Sequence, residues 1–504
     1  MQAAWLYLTC GVILSAYVLL WRRMRRTRAL LASLPSYPQL PLIGNLLQLG
    51  RDGRSLFRFL DDASQKANEA MKPFVCWLAQ FPILLISDPD DVRAVTNSFI
   101  EKPYYYSFGK AWLGDGLVTA PGYLWKQNIK RLANTFNAAV VEGYQVVFNA
   151  QAEKLVHNLK KEVGGKPFDV MHLLAYTTLE AICQTALGID CISESVVKKE
   201  YYDAFNRCLV LFIERGLNPL LHPDWVYRLT AAHRETQRCI DVVHSVSDTV
   251  LKRRNLEREK IKRNTPSSLN IAEARKFKTV VDILLDLSET DPRLTQQQIK
   301  NEVDTIIVGG QETVASTIFY VILMIGCRPQ VQQKLHDEFK AIFGGSTRPI
   351  EKADLQEMQY CEAVINETLR LFPPLPVVMR YADRDLQLKS CRVPKGTMCG
   401  INAWGAGRSE RTWGSDAHIF DPERWIDGRI PSHPATFLPF SYGRRSCIGK
   451  MSVVGYMLEN YRHKEVVFDA GSGWCCDAFC NWVSRAEDQA SLRALESLCP
   501  AVDS

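Results

Sequence analysis

The sequence predicts a mainly α-helical protein with small β-sheets, an α+β fold, behind an N-terminal transmembrane helix. Residues 140–163 and 230–260 place apolar side chains at helical spacing. The β-like segments are short, at residues 81–87, 385–388 and 397–401. The first 21 residues carry no charged side chain. Helices therefore dominate the predicted body of the protein, and an apolar segment precedes it.

The composition disfavours several classes of protein. The chain has 504 residues, of which 47% are hydrophobic, so it is long enough for a large core. Its net charge is only +6, from 61 basic and 55 acidic residues, which disfavours a nucleic-acid partner. The 15 cysteines lack the spacing of a disulfide framework or a zinc site. We therefore expect nearly all of them to be buried and reduced.

The N-terminal segment has the composition of an uncleaved membrane anchor. Residues 3–21 provide 19 uncharged positions, enough to cross a hydrocarbon core of about 30 Å as a helix. Five arginines follow this segment within residues 22–28, whereas a signal peptide carries its basic residues in front. We expect residues 1–21 to be a signal anchor and the body to face the cytosol. The alternative is an apolar helix packed on the body.

Residues 22–45 form the predicted linker between the anchor and the body. The segment is basic at its start and contains three prolines between Pro35 and Pro41. Proline fixes φ and removes a backbone donor, so we expect a stiff, extended connector after the arginines.

A long helix is predicted from Thr295 to about residue 325. Thr295 and Gln298 fit a capping box, and Gly326 followed by Pro329 marks the end. The middle of the helix, residues 306–315, is apolar on nearly all sides, so we expect it to be buried.

That apolar stretch nevertheless contains Gly309, Gly310, Glu312 and Thr313. A buried carboxyl group is costly without a partner, and paired glycines weaken a helix. Two interpretations stay open: a tolerated kink beside a satisfied polar pair, or a local opening of the helix over a ligand.

The most informative segment is residues 440–449, Phe-Ser-Tyr-Gly-Arg-Arg-Ser-Cys-Ile-Gly. A thiolate ligand to haem iron favours cleavage of the O–O bond. An anionic sulfur needs backbone N–H donors, and glycine allows close approach of the backbone. In this chemistry Cys447 would hold iron, Phe440 would shield the sulfur, and Arg445 would neutralise a haem propionate. The alternative for Cys447 is a buried, inert thiol.

The segment resembles the cysteine-ligand loop of the cytochrome P450 superfamily, Phe-x-x-Gly-x-Arg-x-Cys-x-Gly, at every fixed position. The resemblance implies a cytochrome P450-like fold. It also implies haem b as the cofactor, with the Cys447 thiolate as axial ligand. It looks closest to the animal family-four fatty-acid hydroxylases and their insect relatives.

Two further motifs occur in the order of that family. Glu367 and Arg370 fit its Glu-x-x-Arg helix motif, and Arg424 lies in a Pro-Glu-Arg segment. On its own, Glu-x-x-Arg is usually a solvated pair on one helix face. The resemblance implies that these three residues form a buried charge network beside the haem.

The resemblance also assigns roles near the haem. The segment from Gly309 to Thr313 resembles the oxygen-activation groove, in which Thr313 would hydrogen-bond the oxygen ligand or its water. Glu312 would relay protons. Arg380 matches an arginine that pairs with a propionate, and Trp125 would do the same. These residues complete the predicted site.

The sequence departs from the family in three places. The family has Trp-x-x-x-Arg where Trp125 is followed at that spacing by Ile129, so we expect Lys130 to act as a substitute point charge. Gly309 stands where the fatty-acid branch often has a glutamate that forms an ester to haem, so we expect no covalent haem link there. Residues 463–504 match no family pattern, and the helix after Cys447 looks shortened.

We therefore expect a haem-thiolate catalytic domain at residues 46–462 and an atypical tail at 463–504. The predicted activity is insertion of one oxygen atom from O₂ into an apolar substrate, such as a fatty acid, terpenoid, steroid or xenobiotic. Its pocket should include residues 104–125, the groove face of the long helix and the turn at 374–379. The two alternatives are a reductase-independent isomerase or dehydratase, and a haem-binding protein with little or no turnover.

The resemblance also implies partners and a location. NADPH would supply electrons through a membrane-bound P450 reductase, with or without cytochrome b5. The protein would be a single-pass protein of the endoplasmic reticulum membrane, as microsomal members of the family are. We expect no nucleic-acid partner.

Overall fold

The computed structural model describes residues 2–50, 53–136, 138–165, 168–188, 199–264, 279–346 and 348–450, and α-helices predominate. In chain order the α-helices are α1 (Gln2–Leu31), α2 (Leu46–Leu49), α3 (Gly53–Ala70), α4 (Pro89–Ser98), α5 (Lys110–Leu113), α6 (Gly122–Leu132), α7 (Ala138–Gly143), α8 (Gln145–Glu162), α9 (Val170–Ile182), α10 (Lys199–Leu217), α11 (Asp224–Tyr227), α12 (Ala231–Asn264), α13 (Val280–Thr290), α14 (Gln296–Gly326), α15 (Pro329–Phe343), α16 (Lys352–Glu357), α17 (Gln359–Leu371), α18 (Ala403–Gly407) and α19 (Glu410–Trp413). The predicted mainly α fold with small sheets is confirmed.

The strands form two small sheets. They are β1 (Phe74–Leu78), β2 (Phe81–Ile86), β3 (Val377–Tyr381), β4 (Leu386–Gln387), β5 (Arg392–Val393) and β6 (Met398–Asn402). The larger sheet has the order β1-β2-β6-β3, in which β2 and β6 are parallel and the other pairs are antiparallel. β4 and β5 form an antiparallel pair. All three short β segments predicted from the sequence are confirmed within one or two residues.

The chain divides into two compact units, of which the first holds both sheets. It comprises residues 1–104, 375–418 and 431–446. Every residue of β1 and β6 is buried, so the larger sheet lies inside this unit. Its core includes Trp77, Phe99 and Ile401. The sheet and its core thereby fix β3, the strand that carries Arg380.

The second unit is almost entirely helical and comprises residues 105–374, 419–430 and 447–504. Helix α14 is its central element and packs against α9, α12, α13 and α17. Apolar side chains of α14, among them Ile299, Val303 and Ile307, lie in the core of this unit. Because α14 is surrounded, its polar groups must find partners within the protein or on a ligand.

The predicted long helix is confirmed. The Thr295 side chain accepts a hydrogen bond from the backbone N–H of Gln298, which is one half of the expected capping box. The next helix, α15, begins at Pro329 as predicted.

The helix expected over residues 140–163 is interrupted at Tyr144, between α7 and α8. Residues 451–504, expected to hold the shortened helix and the tail, lie outside the described residues.

Helix α1 extends further than the predicted anchor. It continues through the arginine-rich segment to Leu31, whose side chain is in the core of the first unit. Arg26 pairs with Asp385 at 2.7 Å, and the Arg28 guanidinium lies over the Trp77 ring. The first part of the predicted linker is therefore helical and packed.

Within the described residues, α14 is the helix whose length and apolar composition would allow it to span a membrane. Half of its most apolar window is buried in the protein, and a core helix of a soluble domain meets the same criteria. This observation therefore leaves the N-terminal anchor as a prediction.

Candidate functional site

The loop that leads to Cys447 is held in a strained, tightly packed conformation. Ser441 and Gly443 both have positive φ, at 57° and 73°. A Cβ added at Gly443 would lie 2.8 Å from Thr96 Oγ1 and 2.9 Å from Thr96 Cβ on α4. Position 443 therefore requires glycine on two grounds, conformation and space. Phe440, at the start of the loop, is partly buried.

The Cys447 side chain is exposed on the second unit. Surrounding protein nevertheless desolvates the sulfur and raises the pKa of the thiol, while hydrogen bonds from the backbone N–H groups of Gly449 and Lys450 lower the pKa. These two donors favour the thiolate, which is the form that binds a metal. A Cβ at Gly449 would lie 3.9 Å from the sulfur, an ordinary contact, so close approach constrains position 443 instead.

Three positive charges lie together in the first unit. Arg380 is fully buried and Arg445 nearly so, and Arg380 Nη2 donates to the backbone oxygen of Arg445 at 3.3 Å. Lys102 lies close to both. Burial, and then the charges of the two arginines, hold the pKa of the Lys102 ammonium well below its usual value. The sequence analysis predicted the two arginines and missed Lys102, which no motif marks.

The cation cluster of the first unit suits the carboxylates of haem, and separately the exposed cysteine of the second unit suits a ligand to iron. Desolvation by burial is the main cause that lowers the pKa of Lys102, and repulsion from Arg380 and Arg445 adds to it. A bound group with two carboxylates would relieve this repulsion, and haem carries two propionates. An exposed sulfur with two amide donors fits an axial ligand. The residues present therefore fit haem.

The two glycines of α14 have different surroundings. Among the described residues, a Cβ at Gly309 would meet nothing within 4 Å, whereas a Cβ at Gly310 would lie 2.8 Å from Ile182 Cδ1 on α9. Gly310 thus allows α9 and α14 to pack closely, and Gly309 leaves free space beside the helix. Helix α14 is continuous through both positions. The local opening of the helix that the sequence suggested is therefore not present, and only the space beside Gly309 is left for a ligand.

The acid and the hydroxyl of α14 lie beside that free space. Thr313 Oγ1 donates to the backbone oxygen of Gly309 at 2.6 Å. Burial raises the pKa of the Glu312 carboxyl group, and a hydrogen bond from the Ser316 side chain lowers it. Glu312 Oε2 is buried and makes no hydrogen bond within the described part of the chain. Such an oxygen is costly to bury unless a ligand or water is bound there.

Glu367, Arg370 and Arg424 meet as predicted by resemblance. Arg370 donates to both carboxylate oxygens of Glu367, at 2.8 and 2.7 Å, and Arg424 Nε donates to Oε1 at 3.0 Å. Trp425 Nε1 and the backbone N–H of Asp421 donate to the same carboxylate at 3.0 and 2.8 Å. The sequence analysis missed these last two donors, although Trp425 directly follows Arg424 in the chain.

The two propionate partners predicted on α6 have different environments. Trp125 is buried, whereas Lys130 is exposed. The adjacent Arg131 pairs with Asp291 at 2.6 Å. Arg131 is therefore already engaged, and the role of Trp125 and Lys130 stays a prediction.

Comparisons with known proteins agree with this geometry. The family model for Cytochrome P450 matches residues 34–452. The chain is 31% identical over 469 residues to cytochrome P450 4c21 of Blattella germanica, an alignment that covers 90% of this chain and 92% of the relative. It is 30% identical over 451 residues to cytochrome P450 4V2 of Pongo abelii, covering 87% and 83%. Cytochrome P450 4c3 of Drosophila melanogaster is 27% identical over 474 residues, covering 90% and 88%.

Proposed function

The chain belongs to the cytochrome P450 family of monooxygenases, and we propose that it inserts one oxygen atom from O₂ into an apolar substrate with electrons from NADPH. The observation that carries the proposal is Cys447, exposed and supplied with two backbone N–H donors in the family's ligand motif. The relatives named above are family-four cytochromes P450 by name, which agrees with the resemblance seen in the sequence.

Haem b, when bound, would supply the iron that activates O₂. Cys447 would bind its iron through sulfur, because the amides of Gly449 and Lys450 favour the thiolate. Lys102, Arg380 and Arg445 would hold the propionates. Trp125, Lys130 and Phe440 complete the proposed haem-binding residues. The network of Glu367, Arg370 and Arg424 would keep the supporting structure rigid.

Thr313 and Glu312 would deliver protons. The raised pKa of the Glu312 carboxyl group increases its protonated fraction near neutral pH, so it can act as a general acid. The Thr313 hydroxyl, which now donates to Gly309 O, can rotate towards the free space beside Gly309. A carboxyl group and a hydroxyl on adjacent positions of one helix can thus pass a proton towards that space.

The substrate is proposed to be apolar. A cavity of about 270 Å³ lies in the second unit, lined among others by Phe108, Trp112, Leu211, Tyr227 and Ile240. Two of these residues belong to the segment 104–125 that the sequence analysis placed at the pocket. The lining also contains polar and charged side chains, among them Arg215, Asp224 and His233. The proposal of a fatty acid, terpenoid, steroid or xenobiotic as substrate therefore rests on the resemblance to the family.

We also propose a location and partners. An anchor at residues 1–21 followed by arginines would place a single-pass protein in the endoplasmic reticulum membrane with its body in the cytosol. The catalytic domain would span residues 46–462, between the 22–45 linker and the 463–504 tail. A membrane-bound NADPH-dependent P450 reductase would supply electrons, with or without cytochrome b5.

A carbon monoxide difference spectrum combined with NADPH consumption tests the proposal. A long-wavelength Soret band, NADPH use with reductase and an oxygenated product would support the monooxygenase. The same band without NADPH use would indicate a reductase-independent isomerase or dehydratase, or a haem protein without turnover. Absence of the band from folded, haem-loaded protein would exclude thiolate ligation and overturn the proposal.

A further inference from the structure

We propose that Glu302 is a positioning residue for substrate binding, because its carboxyl group fixes residues 113–119, here called the glycine loop, on helix α14. Fixing this loop sets the position of Leu117 in the substrate pocket. The inference rests on the proposed function, since the pocket is part of it. Glu302 acts through the loop and does not contact the substrate.

Hydrogen bonds to Glu302 join three parts of the second unit. The backbone N–H of Leu117 donates to Glu302 Oε2 at 3.0 Å. Asn128 Nδ2 on α6 and Gln298 Nε2 on α14 donate to Oε1 at 2.8 and 2.9 Å. Both amides also donate to the backbone oxygen of Asp115 at 3.2 Å. One buried carboxyl group therefore connects α14, α6 and the glycine loop.

The glycine loop lies directly on the backbone of α14. A Cβ at Gly116 would lie 2.1 Å from Thr305 Oγ1 and 2.6 Å from Asn301 O. Gly114, with φ +51°, would place a Cβ 2.2 Å from Asn301 Oδ1. Because these contacts are so close, the loop can pack on the helix in only one position. It keeps that position as long as its hydrogen bonds to Glu302 and to the side chains next to Glu302 are intact. The close packing determines where the loop lies on α14, and the hydrogen bond to Glu302 stabilises the loop in that position.

Leu117 belongs to the segment 104–125 that is proposed to line the substrate pocket. Leu117, Ile306 and Ile448 each pack against the core of the second unit and stay partly exposed. Ile448 follows Cys447 in the chain, and Ile306 lies on α14 shortly before Gly309. The neighbouring Val118 is 41% exposed. Apolar side chains left partly open beside the ligand cysteine and the helix groove are what an apolar substrate contacts.

The charges around Glu302 agree with this role. Burial raises the pKa of Glu302 to about 7, and the hydrogen bonds together with Arg131 on α6 lower it. Asp115 in the loop pairs with Lys110, and Asp304 on α14 faces His244 on α12. All three direct partners of Glu302 donate N–H groups. The carboxylate, which only accepts, is therefore the form that holds the loop most firmly.

The test compares two iron-binding probes in the full-length, haem-loaded protein. Imidazole binds the iron alone, and 1-dodecylimidazole binds it with an apolar chain in the pocket. In Glu302→Ala we expect the Kd for 1-dodecylimidazole to rise about tenfold. The Kd for imidazole should change less than about twofold, because the iron site itself is unaltered. Glu302→Gln keeps one of the two acceptor oxygens, so its Kd for 1-dodecylimidazole should lie between those of wild type and Glu302→Ala.

Two controls separate positioning from loss of stability. Glu180→Ala removes another buried glutamate, on α9, and should not change the ratio of the two Kd values. In a Leu117→Ala background, Glu302→Ala should raise the Kd for 1-dodecylimidazole little further. Glu302 is proposed to act through the contact between Leu117 and the ligand, and Leu117→Ala has already removed that contact. If Glu302→Ala does not fold, the rate of amide hydrogen exchange in residues 113–119 can be compared between wild type and Glu302→Gln instead. We expect faster exchange in Glu302→Gln.

The inference would be overturned if Glu302→Ala changed both Kd values equally or changed neither of them. It would also be overturned if Glu180→Ala altered the ratio of the two Kd values as much as Glu302→Ala does. Each of these results would leave the proposed function intact. Unaltered exchange of the loop in Glu302→Gln would also overturn it. If haem-loaded wild-type protein gave no imidazole spectrum at all, the proposed function would fail, and the inference with it.

Discussion

Arg424 Nε donates to Glu367 Oε1 at 3.0 Å, although the two residues are 57 positions apart and both side chains are completely buried. With Arg370, Trp425 and Asp421, the carboxylate has five N–H donors. Complete pairing of this kind offsets the cost of removing charges from water.

Removal of Arg424 should therefore be severe. Arg424→Ala removes a fully buried partner that donates to Glu367 Oε1, and we expect a loss of about 3–5 kcal/mol in the free energy of unfolding. Denaturant unfolding measures the loss. Arg429→Ala is the matched control, because Arg429 is exposed and its ion pairs should contribute at most about 1 kcal/mol. Equal losses in the two variants would contradict a special role for the network.

Loss of the Cys447 sulfur should remove the thiolate spectrum. Cys447→Ala leaves no anionic sulfur to bind the iron, so the carbon monoxide difference spectrum of haem-loaded protein should lack its long-wavelength band. Cys391→Ser is the control, since Cys391 is also a partly exposed thiol but directly precedes β5, outside the ligand motif. Persistence of the band in Cys447→Ala would refute the assigned ligand.

Thr313→Ala should uncouple electron use from product formation. Without the hydroxyl that now donates to Gly309 O, proton delivery fails and NADPH electrons appear as peroxide. The ratio of peroxide to NADPH consumed should rise, while the carbon monoxide spectrum stays the same. Thr317→Val removes a hydroxyl one turn later on α14 and should leave the ratio unchanged. If Thr313→Ala stays fully coupled, its proton-relay role is wrong.

Lys102→Met should weaken haem retention. Lys102 contributes one of three positive charges that would meet the propionates, and a charge-assisted hydrogen bond contributes about 1.5–3 kcal/mol. We expect haem transfer to apomyoglobin to become at least about tenfold faster. Lys126→Met, which removes an exposed lysine on α6, should transfer haem at the wild-type rate. An unchanged rate in Lys102→Met would remove Lys102 from the site.

Burial of Glu302 should make stability depend on pH. Because the folded-state pKa is raised from 4.5 to about 7, the carboxyl group favours folding most below pH 4.5. That contribution is lost as pH rises through 7 and amounts to about 3 kcal/mol. The difference in unfolding free energy between Glu302→Gln and wild type should therefore grow between pH 5 and 8. A constant difference would mean that Glu302 titrates normally.

Contiguous segments could be interpreted from the sequence. The ligand motif around Cys447, the capping of α14 by Thr295 and its termination before Pro329 each depend on residues within a few positions of one another. Local hydrogen bonding and backbone conformation decide such features. The break between α7 and α8 at Tyr144 was not predicted, because both helices have the same apolar spacing.

Contacts between residues that are distant in the sequence could not be predicted from local patterns. Lys102 carries no motif, and its place beside Arg380 and Arg445 appears only in the folded unit. Glu302 was one charged residue among several on a predicted helix. Its role depends on Leu117, 185 positions away.

The sequence by itself determined the family and the mainly helical fold, and its short motifs predict Cys447 as the ligand. The tertiary structure decided which charges are buried, which carboxyl groups are paired, and which glycines are forced by close contact. Burial and desolvation depend on neighbours brought together from far along the chain, and these neighbours set the energy of a charge.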